Sequence, residues 1–248
     1  MLTHRFESWS DFKSNYAASL PSRSDESLLG RYIFRGQGDA GWQLTSSFDR
    51  RYASFAASRR QQEYLKWISW FSEELRWQPE FAEVSDPLKI MGLAQHYGLP
   101  TRLLDWSLSP YVAAFFAYAE GHGTESLNYV SPAIWVIDLK KFQKAVPSED
   151  VEILAPIDHQ NRRLRNQSGL FTFLKTEDVS LDCYLERVAG EALSCVTCFI
   201  LPPSNQDEAL EDLSLMGVDY RSVRPEIEGI AYHVQMRSII ERARGTKE

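Results

Sequence analysis

Between Gly92 and Pro110 the chain holds Gln95, His96, Tyr97, Thr101, Arg102, Asp105, Trp106 and Ser109 beside short apolar pairs. An amide, an imidazole, a phenol, a guanidinium and a carboxylate in one short stretch are expensive to bury unless they pair. Such a cluster forms either a structural hydrogen-bond network or a site. His96 and Tyr97 close a predicted helix just before Gly98. There His96 either caps a terminal carbonyl or works as acid, base or phosphate contact, with the helix dipole favouring its cation. Thr101 is placed to meet a ribose hydroxyl. Arg102 either joins it or turns outward to pair with a Glu. Asp105 has three readings: a partner for an Arg or His, a cap for the turn at Ser107–Ser109, or a catalytic carboxylate.

A second cluster runs from Tyr32 to Ser47 and centres on Phe34-Arg35-Gly36-Gln37. An Arg inside a predicted strand needs an anion or a set of carbonyl acceptors. Arg35 is therefore an anion clamp for phosphate or carboxylate, or one half of an ion pair with Asp105 or another carboxylate. Gly36 lets something approach the backbone, and the expectation is a ligand. A third window, Arg162 to Gln167, is the most basic in the chain. It reads as phosphate contact or as a solvated helix face.

Together these segments resemble the FRG domain family, named for its Phe-Arg-Gly motif. The resemblance is carried by Phe34-Arg35-Gly36-Gln37 with a following Trp42-x-Leu44-x-Ser46-Ser47, and by His96 through Trp106. Arg165 through Phe171 and the Leu213–Gly217 stretch leading into Pro225 and Gly229 also carry it. The order of elements is also similar to an ADP-ribosyltransferase-like fold. What that implies is an enzyme that transfers ADP-ribose or cleaves NAD, with NAD as substrate, in a bacterial or phage-linked conflict or toxin role. The implied catalytic residues are Asp105, Gln167 and His96. The implied substrate-binding residues are Arg35, Gln37, Ser46, Tyr97, Thr101, Arg102 and Arg165. One departure stands out. Gln167 occupies a place where a Glu is expected, and Glu226 and Glu228 sit at a helix start, where acids have a dipole role already. The alternatives are a non-catalytic module that binds a nucleotide, another phosphorylated ligand or a nucleic-acid end, and a nuclease. A nuclease needs convergent acids for a metal, and the sequence displays only Asp105.

The elements that position these residues are legible from periodicity and caps. Helices are expected over Trp9–Leu20, Ser54–Trp77, Asp86–Tyr97, Tyr111–Glu120, Ser204–Met216 and Pro225–Arg244. Strands are expected over Leu28–Gly36, Trp42–Thr45, Thr101–Trp106, Ala133–Leu139, Val151–Leu154, Gly169–Leu174 and Ser194–Leu201. Gly38 to Gly41 reads as a tight turn joining the first two strands, and Asp158–Asn166 as a basic helical turn. Tyr64, Trp67, Ile68, Phe71 and Leu75 form a core stripe on the longest helix. The mixed order argues α+β: a single domain with a central mixed or antiparallel sheet of six to seven short strands flanked by helices. Residues 1–27 form an N-terminal helical extension and 225–244 a C-terminal helix.

Composition sets the outer limits. The 248 residues are 44% hydrophobic, 25% charged and 12% aromatic, which suits a packed core and opposes disorder. A net charge of −7 opposes a general nucleic-acid coat while allowing a local basic cleft. No apolar run reaches the roughly 18 residues of a membrane span, so no membrane partner is expected. The first residues lack a signal-peptide core, and three cysteines, an odd number, fit a reducing cytoplasm. Cys195-x-x-Cys198 reads as buried thiols rather than a metal site, because too few other ligands accompany it. No Gly-x-Ser-x-Gly elbow, phosphate loop or dinucleotide fingerprint is present.

Overall fold

A computed structural model describes residues 1–20, 30–120, 130–155, 169–224 and 227–245. Seven strands form one sheet in the order β1-β7-β4-β2-β3-β6-β5. They are β1 (Leu2–Arg5), β2 (Tyr32–Gln37), β3 (Leu103–Ser107), β4 (Ala133–Asp138), β5 (Val151–Leu154), β6 (Gly169–Leu174) and β7 (Val196–Ile200). Among the described strands only the β1–β7 pair is parallel, and the other neighbour pairs are antiparallel. The α+β class and the flanked mixed sheet are as the sequence implies.

β4 is buried along its whole length and β2 nearly so, and they lie at the sheet centre. Continuous apolar character therefore marks strands covered on both faces. One face carries α1 (Trp9–Asn15), α5 (Pro110–Glu120) and α9 (Gln206–Leu215), with Trp9, Phe12, Phe115, Tyr118 and Leu213 in the shared core. The other face carries α6 (Leu139–Ala145) and α7 (Leu181–Val188) over Ile33, Trp135 and Trp106. A third cluster joins α2 (Ser47–Arg51), α3 (Ala57–Leu75) and α4 (Pro87–His96) to the far half of the sheet through Phe48, Tyr64, Met91 and Phe171. The short helices α8 (Glu191–Ser194) and α10 (Tyr220–Val223) and the long α11 (Ile227–Gly245) complete the chain.

Local signals explain several boundaries. The Ser8 hydroxyl accepts from the Asp11 N–H and opens α1. The Asp86 carboxylate accepts from the Leu88 N–H with Pro87 at the first helical position, and opens α4. Burial raises both β7-side thiols, Cys198 to about 11, as inert core residues.

Three expectations are corrected. Trp42–Thr45 is not a strand, and no hairpin follows Gly38. Leu44 is instead buried, its N–H donating to Asp182 Oδ1 at 2.7 Å while its carbonyl accepts from the Leu181 N–H at 3.0 Å. The segment is thus tied to the start of α7, and a strand partner would compete for those backbone groups. The N-terminal extension begins with a strand, β1, which pairs with β7. The approach at Gly36 is made by α5 and not by a ligand. A Cβ there would lie 1.9 Å from the Ala113 carbonyl oxygen and 2.6 Å from the Ala117 nitrogen. The expected turn at Asp158–Asn166 lies outside the described residues.

Gly36→Ala is therefore expected to destabilise the fold by about 3 kcal/mol or more, because the clash is with helix backbone and no rotamer relieves it. Urea denaturation of the variant checks this; a midpoint shift of less than about 1 kcal/mol equivalent would show that α5 can move off β2 at little cost.

Candidate functional site

β2 and β3 share one register pair, Phe34 with Ser107. Continuing that register would set Gly36 against Asp105. The ladder does not continue there, and the Asp105 carbonyl accepts from Arg35 Nη1 at 2.9 Å. The guanidinium thus fills the place of a strand partner where the sheet parts. A cavity of about 310 Å³ opens beside it, between β2, β3, α4 and α5.

Charged groups converge on this cavity. Arg35, His96, Asp105, Glu120 and Arg224 all line it. Arg35 keeps 17% side-chain exposure, and its Nη1 lies 3.9 Å from Asp105 Oδ2, a weak ion pair. Its Nε is buried and finds no hydrogen-bond partner among the described residues, and the same holds for Arg224 Nε. Burial pulls the Arg35 pKa down, with Asp105 and Glu120 opposing and Arg50 adding to the fall. Two arginines that line one cavity thus each carry a buried Nε without an acceptor among the described residues.

The Asp105 carboxylate is oriented by a chain of bonds. The Leu103 N–H donates to Thr101 Oγ1, whose hydroxyl donates to Gln95 Oε1. That fixes the amide, and Gln95 Nε2 donates to Asp105 Oδ1 at 2.6 Å. The Asp105 side chain remains 55% exposed, so it serves the cavity and not the core.

Glu120 ends α5, where a carboxylate meets the negative pole of the helix. The residue as a whole is exposed, yet desolvation of its carboxyl raises its pKa. The charges of Arg35, Arg50 and Arg224 and a hydrogen bond from the Gly38 N–H oppose that rise. The rim position reconciles the two: open to solvent on one side and crowded on the other.

Arg35, His96 and Asp105 thus meet at one cavity. Four other expected site residues, Arg102, Thr101, Ser46 and Gln37, belong to the framework. Arg102 is buried, with Nε 3.0 Å from Asp49 Oδ2 and further bonds to Gln61 and to the carbonyls of Thr176 and Asp178. It neither faces outward nor lines the cavity. Thr101 is fully buried in the Gln95 chain. Ser46 caps α2 and donates to Asp49 Oδ2. Gln37 accepts from Trp135 Nε1 and donates to the Gln43 carbonyl. Tyr97 is 60% exposed beside the cavity and does not line it. Arg165, Gln167 and Glu226 lie outside the described residues, and Glu228 is exposed in the first turn of α11.

Glu120 and Arg224 escaped the sequence reading. A signal for Glu120 did exist: an acid closing an otherwise apolar helix, against the dipole, needs a cationic partner. Arg224 left no such mark, because it precedes a proline in a polar segment.

The model of the FRG domain family matches residues 30–125 of the chain. The span contains Arg35, His96, Asp105 and Glu120, while Arg224 lies beyond it. No curated protein and no solved structure matches the chain. No helix among the described residues is long and apolar enough to cross a membrane.

The raised pKa of Glu120 has a thermodynamic consequence. A group whose folded pKa lies above its unfolded one stabilises the fold fully below the unfolded value, and that contribution is lost as pH rises through the folded value. Glu120→Gln removes the loss. The variant is expected to melt higher than the parent at pH 7–8, with the gap closing below about pH 4, the ordinary Glu range. Thermal melts across that range test it; a variant less stable at pH 8 than the parent refutes it.

Proposed function

We propose that the cavity binds a nucleotide through Arg35 and Arg224 and cleaves a bond at its ribose, with NAD as substrate. The observation that carries this is the gathering of two arginines and two carboxylates around one small cavity. Guanidinium forks suit phosphate oxygens. A carboxylate in a desolvated site stabilises a sugar that develops oxocarbenium character. The fully acidic role that Gln167 leaves open in the sequence falls to Glu120.

In the proposed reaction the glycosidic bond between ribose and nicotinamide breaks, and its electron pair neutralises the pyridinium nitrogen. Glu120 offsets the positive charge left on the ribose. Water, or an acceptor group on another molecule, forms the new bond at that carbon. Asp105, aimed by Gln95, takes the proton the nucleophile loses. His96 is a second wall group able to touch the phosphates. Among the described residues no set of three or more His, Cys, Asp or Glu is grouped to hold a metal ion, so the nuclease reading gains no donor set here.

Incubation with NAD and chromatography of free nicotinamide tests the proposal. Glu120→Gln is expected to slow release by about 10²–10³-fold with binding retained. Arg35→Ala is expected to weaken NAD binding by about 1.5–3 kcal/mol. NAD binding without any nicotinamide release would leave the non-catalytic binding module, and the absence of both would end the NAD reading.

A further inference from the structure

The cavity, at about 310 Å³, sits at the small end of ligand pockets, which run from about 300 to 1,000 Å³. Space of that order suits a phosphorylated sugar. A base attached to the sugar has to lie beyond the mouth. The C-terminal end of α4 forms part of the cavity wall. His96, Gly98 and Leu99 line the cavity, and Tyr97 stands between them in sequence, 60% exposed as a residue.

The turn that presents this ring is held firmly. The Tyr97 N–H donates to the Leu93 carbonyl at 3.0 Å and the Gly98 N–H to that of Gln95 at 3.1 Å. The Leu99 N–H donates to Ala94 at 2.8 Å, and Gly98 takes the left-handed conformation with φ +85°. The ring itself is steadied on two sides. His96 lies edge-to-face at 4.8 Å between centroids, and Phe81 at 6.2 Å. A lone exposed aromatic is ordinary on a protein surface. One held by two ring contacts and next in sequence to two cavity-wall residues offers a stacking face. Stacking on an aromatic ring needs only the π-face of a base and no hydrogen-bond code.

We propose that Tyr97 is the stacking platform for the base of a nucleoside diphosphate unit whose phosphates lie at Arg35 and Arg224. This rests on the nucleotide reading above and adds where the base goes. The ligand then spans wall and rim: guanidinium contacts inside, an aromatic contact outside. Selectivity for nucleotides over simple phosphates resides at the rim.

Calorimetry on the full chain with two probes, pyrophosphate and ADP, separates the parts. The parent is expected to bind ADP about ten- to a hundred-fold more tightly than pyrophosphate. Tyr97→Ala should remove most of that preference and leave pyrophosphate affinity within about two-fold. Tyr97→Phe should keep the preference, since the ring and not the hydroxyl acts. Arg35→Ala should weaken both probes. Pyrophosphate bound normally with ADP affinity unmoved in Tyr97→Ala would overturn the platform. A parent that binds neither probe, or binds both regardless of Arg35, would overturn the nucleotide reading itself.

Discussion

Helix α5 can lie on strand β2 only because residue 36 has no side chain. The Ala113 carbonyl occupies the space a Cβ would take. Everything at the cavity follows from that contact. Arg35 is fixed because its neighbour in the strand is clamped. Glu120 is fixed because it ends the clamped helix. The Gly38 N–H just beyond β2 then reaches the Glu120 carboxyl. A backbone-to-backbone approach is stiffer than any side-chain contact, so β2 and α5, which carry the cation and the acid, are held together.

The polar-rich stretch from Gln95 to Asp105 divides between two tasks. Arg102 and Arg60 neutralise Asp49 in the core. Removing one member of such a buried set leaves a charge uncompensated, at a cost of about 3–5 kcal/mol. Gln95 and Thr101 serve the other task, since their bonds end on an exposed carboxylate. A short sequence window thus contains both an expensive structural network and part of a site. The two share the chain because the network holds the site's strand in register.

This division explains what the sequence could and could not reveal. Caps and periodicity mark α4 and α5, and an unbroken apolar run marks β4, because those signals are local. Arg35 was legible as a charge in a strand. The sorting of Arg102 into the core and Asp105 to the cavity was not, since both are charged residues at the same motif and the choice depends on Asp49, which lies on another element. The false strand at Trp42–Thr45 has the same origin. Its residues suit a strand, and a distant Asp182 takes the backbone group that a partner strand would need. Glu120 was readable only by asking why an acid should end an apolar helix.

The charge arrangement at the cavity also limits its chemistry. Arginines alone would hold phosphate but would oppose positive charge growing on a sugar. Carboxylates alone would favour that charge but repel the phosphates. Here Arg35 and Arg224 stand with Glu120 and Asp105 around one small space. Desolvation weakens the charged form of both Arg35 and Glu120, each partly restored by the other. Neither is saturated by its protein partner: Arg35 keeps an unbonded Nε and Glu120 a raised pKa. A ligand carrying a phosphate and a nascent cation would complete both at once. A purely anionic ligand would complete only the arginines and would meet the Glu120 charge. On the proposed function, the site favours a ligand of mixed charge, and the raised pKa of Glu120 is the local cost of keeping that acid at the cavity.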